Sequence, residues 1–124
     1  MIYLYLSCAV AMLCAVVHSY IGERTLVSSL TSRPPQVGVL QSLTWRRLVR
    51  AVWHLPSVFW ALMSLMTLVL NQQSSVEVTP LYFVMAVYVF SGVGNFIATR
   101  GKHFRWTILL LAAALLWLGL PVSR

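Results

Sequence analysis

Three histidines and one glutamate are the side chains of this sequence best suited to bind a metal or to move a proton. His18, His54 and His103 each lie near the end of an apolar stretch, and Glu23 follows His18 by five residues. If these stretches are helices that cross a membrane, alternate passes bring all four side chains to one membrane face. Ionisable groups at membrane depth are costly and often mark functional sites. We therefore predict a candidate site made of His18, Glu23, His54 and His103.

This set of side chains has the chemistry of a transition-metal site. Three imidazoles with one carboxylate fit a tetrahedral zinc-type site, and three imidazoles alone leave a coordination position open. His18 and His54 on neighbouring helices could instead be the two axial ligands of a b-type haem. The spacings match none of the local motifs H-E-x-x-H, E-x-x-H or C-x-x-C-H. A transition metal or a b-type haem is therefore a hypothesis that rests on location alone.

Each of these side chains also has a purely structural interpretation. His18, near the C-terminal end of a helix, is favoured by the negative end of the helix dipole. His54 is able to hydrogen-bond a carbonyl that the ring of Pro56 leaves free. Glu23 has arginines nearby with which to pair, and His103 lies in a basic loop where water solvates it. Packing and pairing residues are the alternative to a metal site.

The composition identifies the solvent around these residues. The chain has 124 residues, of which 60% are hydrophobic and 9% are charged, whereas roughly 25% of the residues in a soluble domain are charged. A domain of this size has too much surface to hide so many apolar side chains. The net charge of +7 is compatible with nucleic-acid binding, but the basic residues lie between apolar runs. The composition predicts a membrane protein and no nucleic-acid partner.

Four apolar stretches come close to the roughly 20 residues that a helix needs to cross the hydrocarbon core. Backbone groups in lipid must be satisfied within the segment, and the period-2 alternation of a membrane barrel is absent, so the stretches are predicted to be helices. We predict an all-α integral membrane protein, a single four-helix transmembrane bundle over residues 1–124. The predicted spans are residues 2–20, 51–70, 80–98 and 106–122.

The basic residues predict the orientation of these spans. Five arginines lie in the loop of residues 21–50, and two arginines and a lysine lie in the loop of residues 99–105. The remaining loop has no basic residue and contains Glu77, and the tail has only Arg124. The positive-inside rule then places both basic loops in the cytoplasm and both termini outside. We expect the bacterial cytoplasmic (inner) membrane.

Small and polar residues recur at helical spacing in these stretches and predict the faces that turn inward. Membrane helices use such residues to approach closely and to hydrogen-bond. The stripe of the fourth stretch is the weakest. The predicted inward faces are Ser7, Ala11, Cys14 and His18; Arg50, His54, Ser57, Ala61 and Ser64; Tyr88, Ser91, Asn95 and Ala98; and Thr107, Leu110, Ala114 and Trp117. The predicted polar interior comprises Arg50, Ser57, Ser91 and Asn95.

The basic loops and the small-residue faces together suggest a function. We expect the loop bases to contact anionic lipid headgroups, with Arg105 reaching outward to the interface. Paired-carboxylate catalysis is excluded because the two acidic residues, Glu23 and Glu77, lie on opposite sides. The leading hypothesis is a non-catalytic accessory or interaction subunit, assembled as a homo-oligomer or in a larger complex. The alternatives are a metal- or haem-binding protein and an oligomeric pore. The predicted lipid contacts are Arg46, Arg47, Arg100, Lys102 and Arg105.

Overall fold

The computed structural model describes residues 2–32, 38–73 and 78–120, and these residues are helical almost throughout. No strand occurs in these three segments. The first helix, α1, continues without a break through a π-helical turn into the short helix α2. The elements are α1 (Ile2–Gly22), the π-helical turn (Glu23–Val27), α2 (Ser28–Ser32), a 3-10 turn (Gly38–Gln41), α3 (Leu43–Asn71), α4 (Val78–Thr99) and α5 (Arg105–Gly119).

Three of the helices are long and apolar enough to cross a membrane. They are the helix Ile2–Thr31, with 30 residues and a mean hydropathy of 1.9; α3, with 29 residues and 1.5; and α4, with 22 residues and 1.7. The fourth apolar helix, α5, has 15 residues and is therefore about 22 Å long, against roughly 30 Å of hydrocarbon. The described chain is thus all-α, with three candidate spans and one shorter apolar helix.

The helices extend beyond the predicted spans on the basic side. Much of the predicted loop of residues 21–50 is helical, because the first helix runs on to Ser32 and α3 begins at Leu43. The predicted spans end where apolar residues give way to charged ones. A helix does not have to end there, because backbone hydrogen bonds continue into the interface once the helix has formed. The predicted end of the fourth span falls in residues 121–124, outside the described residues.

Helices α1, α3, α4 and α5, called the long helices here to distinguish them from the five-residue α2, pack side by side in the order α3, α1, α5, α4. Helix α1 contacts both α3 and α5, and α5 contacts α4, whereas α3 and α4 touch each other little. Small residues permit close approach, and α1 and α5 meet where both carry alanines. The Ser7 hydroxyl donates to the Ala112 carbonyl at 2.7 Å. The buried core consists of Leu4, Ala11, Cys14, Ala15, Trp60, Leu81, Val84, Tyr88, Leu109, Ala112, Ala113 and Leu116.

Two side-chain hydrogen bonds join α3 to α4 despite their small contact. The Trp60 indole Nε1 donates to the Ser91 hydroxyl at 3.1 Å. The Ser64 and Tyr88 hydroxyls are 3.1 Å apart, and Ser64 also donates to the Trp60 carbonyl at 2.9 Å. Each bond satisfies a polar group that would be costly to leave unpaired in an apolar interior.

The predicted inward face of the first helix agrees with the structure, since all four of its residues are buried. The predicted face of the fourth helix is wrong, because three of its four residues are exposed. That helix is apolar nearly all round, so its sequence has little periodic contrast with which to mark a face. Its buried residues are Leu109, Ala112, Ala113 and Leu116, and the exposed members of the predicted face are Thr107, Ala114 and Trp117.

A tight turn ends α4 and leads the chain into α5. Arg100 (φ 51°) and Gly101 (φ 72°) both adopt left-handed backbone conformations, which favour glycine over other residues. The Gly101 N–H donates to the Phe96 carbonyl at 2.9 Å, as in a Schellman helix end. The turn sets Arg105, the first residue of α5, against the ends of the other helices.

Candidate functional site at the basic end

Successive long helices run in opposite directions, so four helix ends gather at one end of the molecule. These are the C-terminal ends of α1 and α4 and the N-terminal ends of α3 and α5. The His18 and Trp53 rings stack there, and Gly119 lies against Leu4 at the opposite end. We call the end that contains His18 and Trp53 the basic end. Its described cationic residues are Arg24, Arg46, Arg47, Arg50, Arg100, Lys102 and Arg105.

Glu23 joins the first helix to α3 at this end. One carboxylate oxygen lies 2.9 Å from Arg50 Nη2, and the other lies 3.1 Å from His54 Nε2. The Ser28 hydroxyl donates to the first oxygen at 3.3 Å. Ser19 Oγ is 2.6 Å from His54 Nδ1, so His54 is held through both ring nitrogens. We call Ser19, Glu23, Arg50 and His54 the carboxylate cluster.

The directions of these hydrogen bonds follow from the carboxylate. An ionised carboxylate only accepts, so Nε2 of His54 donates to Glu23, and Nδ1 of a neutral ring then accepts the Ser19 proton. A hydroxyl, an imidazole and a carboxylate in this order resemble an activated nucleophile. Ser19 lies inside α1, however, where backbone N–H groups bond within the helix and cannot stabilise an oxyanion. We therefore interpret the carboxylate cluster as a link between helices.

Arg46 is occupied by the backbone of its own chain. Its guanidinium donates to three carbonyls, those of Leu40 at 2.7 Å, Thr31 at 3.2 Å and Gln41 at 3.3 Å. These bonds fasten α2 and the 3-10 turn to the start of α3. The donors of Arg46, a residue predicted to contact lipid, are thus engaged by the described part of the chain itself.

His18 is enclosed by two indole rings. Its imidazole stacks on Trp53, with ring centroids 4.8 Å apart and planes 9° from parallel, and meets Trp60 edge-on at 5.2 Å. Only 9% of the His18 surface is exposed. The Trp53 indole lies directly against Gly22, where any side chain would collide with it. Glycine at position 22 is therefore what lets α3 bring Trp53 onto His18.

A cavity of about 160 Å³ opens beside His18. Each of the four long helices contributes to it, and the loop between α4 and α5 contributes His103. Arg105, predicted to reach outward, is half-buried and lines this cavity, with its Nη1 atom buried and unpartnered among the described residues. The lining residues are His18, Trp53, Asn95, Thr99, His103 and Arg105.

The structure divides the predicted metal-binding set into two groups. Glu23 and His54 belong to the carboxylate cluster, whereas His18 and His103 line the cavity. Within residues 2–32, 38–73 and 78–120, no group of three or more His, Cys, Asp or Glu side chains is placed to hold a metal ion. Metal or haem binding by His18, Glu23, His54 and His103 stays a prediction, and this arrangement does not favour it.

The predicted polar interior is found in four different settings. Ser57 is buried, and its hydroxyl has no partner in the described part of the chain. Ser91 accepts the Trp60 hydrogen bond, and Asn95 lines the cavity. The side chain of Arg50 is about half exposed, at 49%, and pairs with Glu23.

Sequence reasoning missed Ser19 and Trp53 as site residues. The signal for Ser19 was present, because Ser19 and Glu23 are four residues apart, as are Arg50 and His54, so each pair shares a helix face. Trp53 carried no such signal, since an indole beside a helix end is also what a membrane interface favours.

Comparison with known proteins adds no family to this description. No protein-family model matches the chain, and no curated protein and no solved structure shows significant similarity to it.

The packing of Trp53 predicts the effect of a methyl group at Gly22. Gly22→Ala places its Cβ within the Trp53 indole, so we expect a loss of about 1–3 kcal/mol in the free energy of unfolding. Thermal unfolding in mild detergent, followed by near-UV circular dichroism, measures this. Gly94→Ala is the control, because nothing lies within 4 Å of its Cβ and the gain in helix propensity is the same. Equal behaviour of the two variants contradicts the packing of Trp53 on Gly22.

Proposed function

We propose that this chain is a non-catalytic membrane protein whose basic end holds anionic lipid, acting as an accessory or interaction subunit. The observation that carries the proposal is the unbalanced charge of the basic end. Among the described residues Glu23 is the one carboxylate there, and Arg50 and His54 already engage it. Arg47, Arg100 and Lys102 are exposed. Such bases near a membrane surface attract anionic headgroups by about 1 kcal/mol each.

The proposal includes a membrane topology with four crossings. The basic end faces the cytoplasm, both termini lie outside, and the membrane is the bacterial cytoplasmic one. Both basic loops lie at one end of the packed helices. By the positive-inside rule, this supports the proposed orientation. Helix α5 is short for a crossing, and local thinning of the bilayer accommodates such a helix at modest cost.

Assembly with further copies or with other subunits is the second part of the proposal. We expected the small-residue faces to serve assembly. Those of α1 and α5 pack inside the chain, where Ala11 and Ala112 are both fully buried. The outer side of the α3–α4 pair remains open and forms a groove of about 350 Å³ that Phe59 and Phe90 line. Lipid or another helix fills such a groove. Ser64 is fully buried, which supports helix packing over a water-filled pore.

Neutralising the exposed bases tests the lipid contact. In phosphatidylcholine bilayers that contain phosphatidylglycerol, we expect brominated phosphatidylglycerol to quench tryptophan fluorescence more than brominated phosphatidylcholine does, since Trp45 is exposed at the basic end. The triple variant Arg47→Gln, Arg100→Gln and Lys102→Gln should lose most of this preference, a change of more than about tenfold at roughly 1 kcal/mol for each charge removed.

The matched control for the lipid test is Arg46→Gln. It removes one charge at the same end, but its guanidinium is bound to carbonyls, so it should lower thermal stability and leave most of the lipid preference. A triple variant with undiminished preference for phosphatidylglycerol contradicts the proposed lipid contact.

Cysteine labelling tests the orientation. The native Cys8 and Cys14 are buried, so an impermeant maleimide reports only on an introduced cysteine. We expect Gln73→Cys, at the end of α3 away from the basic end, to react in intact cells. Lys102→Cys should react only after the membrane is permeabilised. The reverse pattern would invert the topology.

A further inference from the structure

The cavity beside His18 is the feature of the basic end that surface charge does not explain. Six side chains line it, and none of them is acidic: an arginine, two histidines, an asparagine, a threonine and a tryptophan. Glu23, the one described carboxylate at the basic end, is bound by Arg50 and His54 and does not line the cavity. The cavity therefore collects a permanent positive charge with no negative side chain in its lining.

Arg105 is the residue that indicates what the cavity accepts. Its Nη1 atom is buried and finds no acceptor among the described residues. A buried donor of a charged group that lacks an acceptor is costly, and an anion in the cavity would supply that acceptor. The guanidinium matches the oxygens of a phosphate, to which it can donate two parallel hydrogen bonds.

The start of α5 adds to this preference for an anion. Arg105 is the first residue of α5, and the preceding residue, Phe104, makes no side-chain cap hydrogen bond. The first N–H groups of a helix attract anions, whereas the positive dipole end of α5 is offset here by the C-terminal end of α4, which contributes Asn95 and Thr99 to the same cavity. The Asn95 amide from α4 and the exposed His103 ring supply further donors.

The size of the cavity limits the ligand to a small headgroup. About 160 Å³ is roughly five times the ~30 Å³ that one water occupies in the liquid, which is enough for the five heavy atoms of a phosphate group. It falls below the roughly 300 Å³ at which pockets for drug-sized ligands begin. Acyl chains attached to a phosphate in the cavity would stay in the bilayer.

We propose that this cavity is a specific phosphate-binding site, in which Arg105 and Asn95 bind the phosphate group of an anionic phospholipid or free phosphate. The inference rests on the proposed function, because it assigns a defined site to part of the lipid contact. It differs in kind from the diffuse attraction of Arg47, Arg100 and Lys102. Binding in the cavity is stoichiometric and survives salt, whereas the diffuse attraction is screened.

The test counts bound lipids on protein taken from nanodiscs of phosphatidylcholine with a minor fraction of phosphatidylglycerol. After a wash in about 1 M NaCl, where the Debye length is roughly 3 Å, native mass spectrometry should find one phosphatidylglycerol for each chain. Arg105→Gln should weaken retention by at least about tenfold. The matched control Arg100→Gln removes an exposed charge of the same loop and should retain the lipid.

Two further variants keep the result interpretable. Asn95→Leu lowers retention without changing the charge, and it serves if Arg105→Gln does not fold, as judged by circular dichroism. The triple variant Arg47→Gln, Arg100→Gln and Lys102→Gln should keep the single bound lipid while losing diffuse lipid preference. Loss of the single bound lipid tests the cavity site, and loss of the diffuse preference tests the proposed lipid contact, so the two proposals can fail separately.

Inorganic phosphate distinguishes the two sources of the ligand. If it displaces phosphatidylglycerol and its binding also depends on Arg105, the site accepts free phosphate. If it does not displace the lipid, the headgroup is bound together with its glycerol backbone. The inference is overturned if the wild-type protein retains neither phosphatidylglycerol nor inorganic phosphate. It is also overturned if retention of the bound lipid is unchanged in both Arg105→Gln and Asn95→Leu.

Discussion

One carboxylate, Glu23, serves two helices at an end of the molecule where seven described cationic residues gather. Its bonds to Arg50 and His54 join the continuation of the first helix to α3. Beside this link, Trp53 packs against Gly22 and stacks on His18. The stacked pair then forms one wall of the cavity that Arg105 lines. The carboxylate of Glu23 thus links the two helices that carry this stacked pair.

The placement of that charge also decides which bases stay available. Arg50 pairs with Glu23, and Arg46 donates hydrogen bonds to three backbone carbonyls. Arg47, Arg100 and Lys102 remain exposed at the surface, and Arg105 is turned toward the cavity. Bases of one sequence class therefore lie in three settings, to which we assign three proposed roles: structural pairing, diffuse attraction of anionic lipid, and a specific site. Neither net charge nor loop membership distinguishes these roles.

The presence of the helices was predictable because lipid imposes it. A backbone in hydrocarbon has to satisfy its own hydrogen bonds, so long apolar runs predict helices directly. The inward face of α1 was predictable as well, because small and polar residues such as Ser7 and Cys14 stand out among larger ones. The face of α5 was not, because alanine and leucine fill it on nearly every side and burial then depends on the neighbouring helices.

The candidate site was only partly predictable for a similar reason. The ends of α1 and α3 were expected at the same membrane face, and Arg50 and His54 were expected on one helix face. That Glu23 would meet them required knowing that the first helix continues past residue 20 through a π-helical turn. The sequence offered the adjacent Arg24, or another arginine of the loop, as the partner of Glu23. Arg24 instead lies over the Tyr20 ring, with its Cζ atom 4.9 Å from the ring centroid.

A double-mutant cycle between Glu23 and Arg50 measures the interaction on which this arrangement depends. With Glu23→Gln and Arg50→Gln, unfolding in mixed detergent should reveal a coupling of about 0.2–1 kcal/mol, the range for exposed ion pairs. The same cycle with Arg24→Gln should give a coupling close to zero. No coupling to Arg50, or an equal coupling to Arg24, would contradict the proposed role of Glu23 as the link between the first helix and α3.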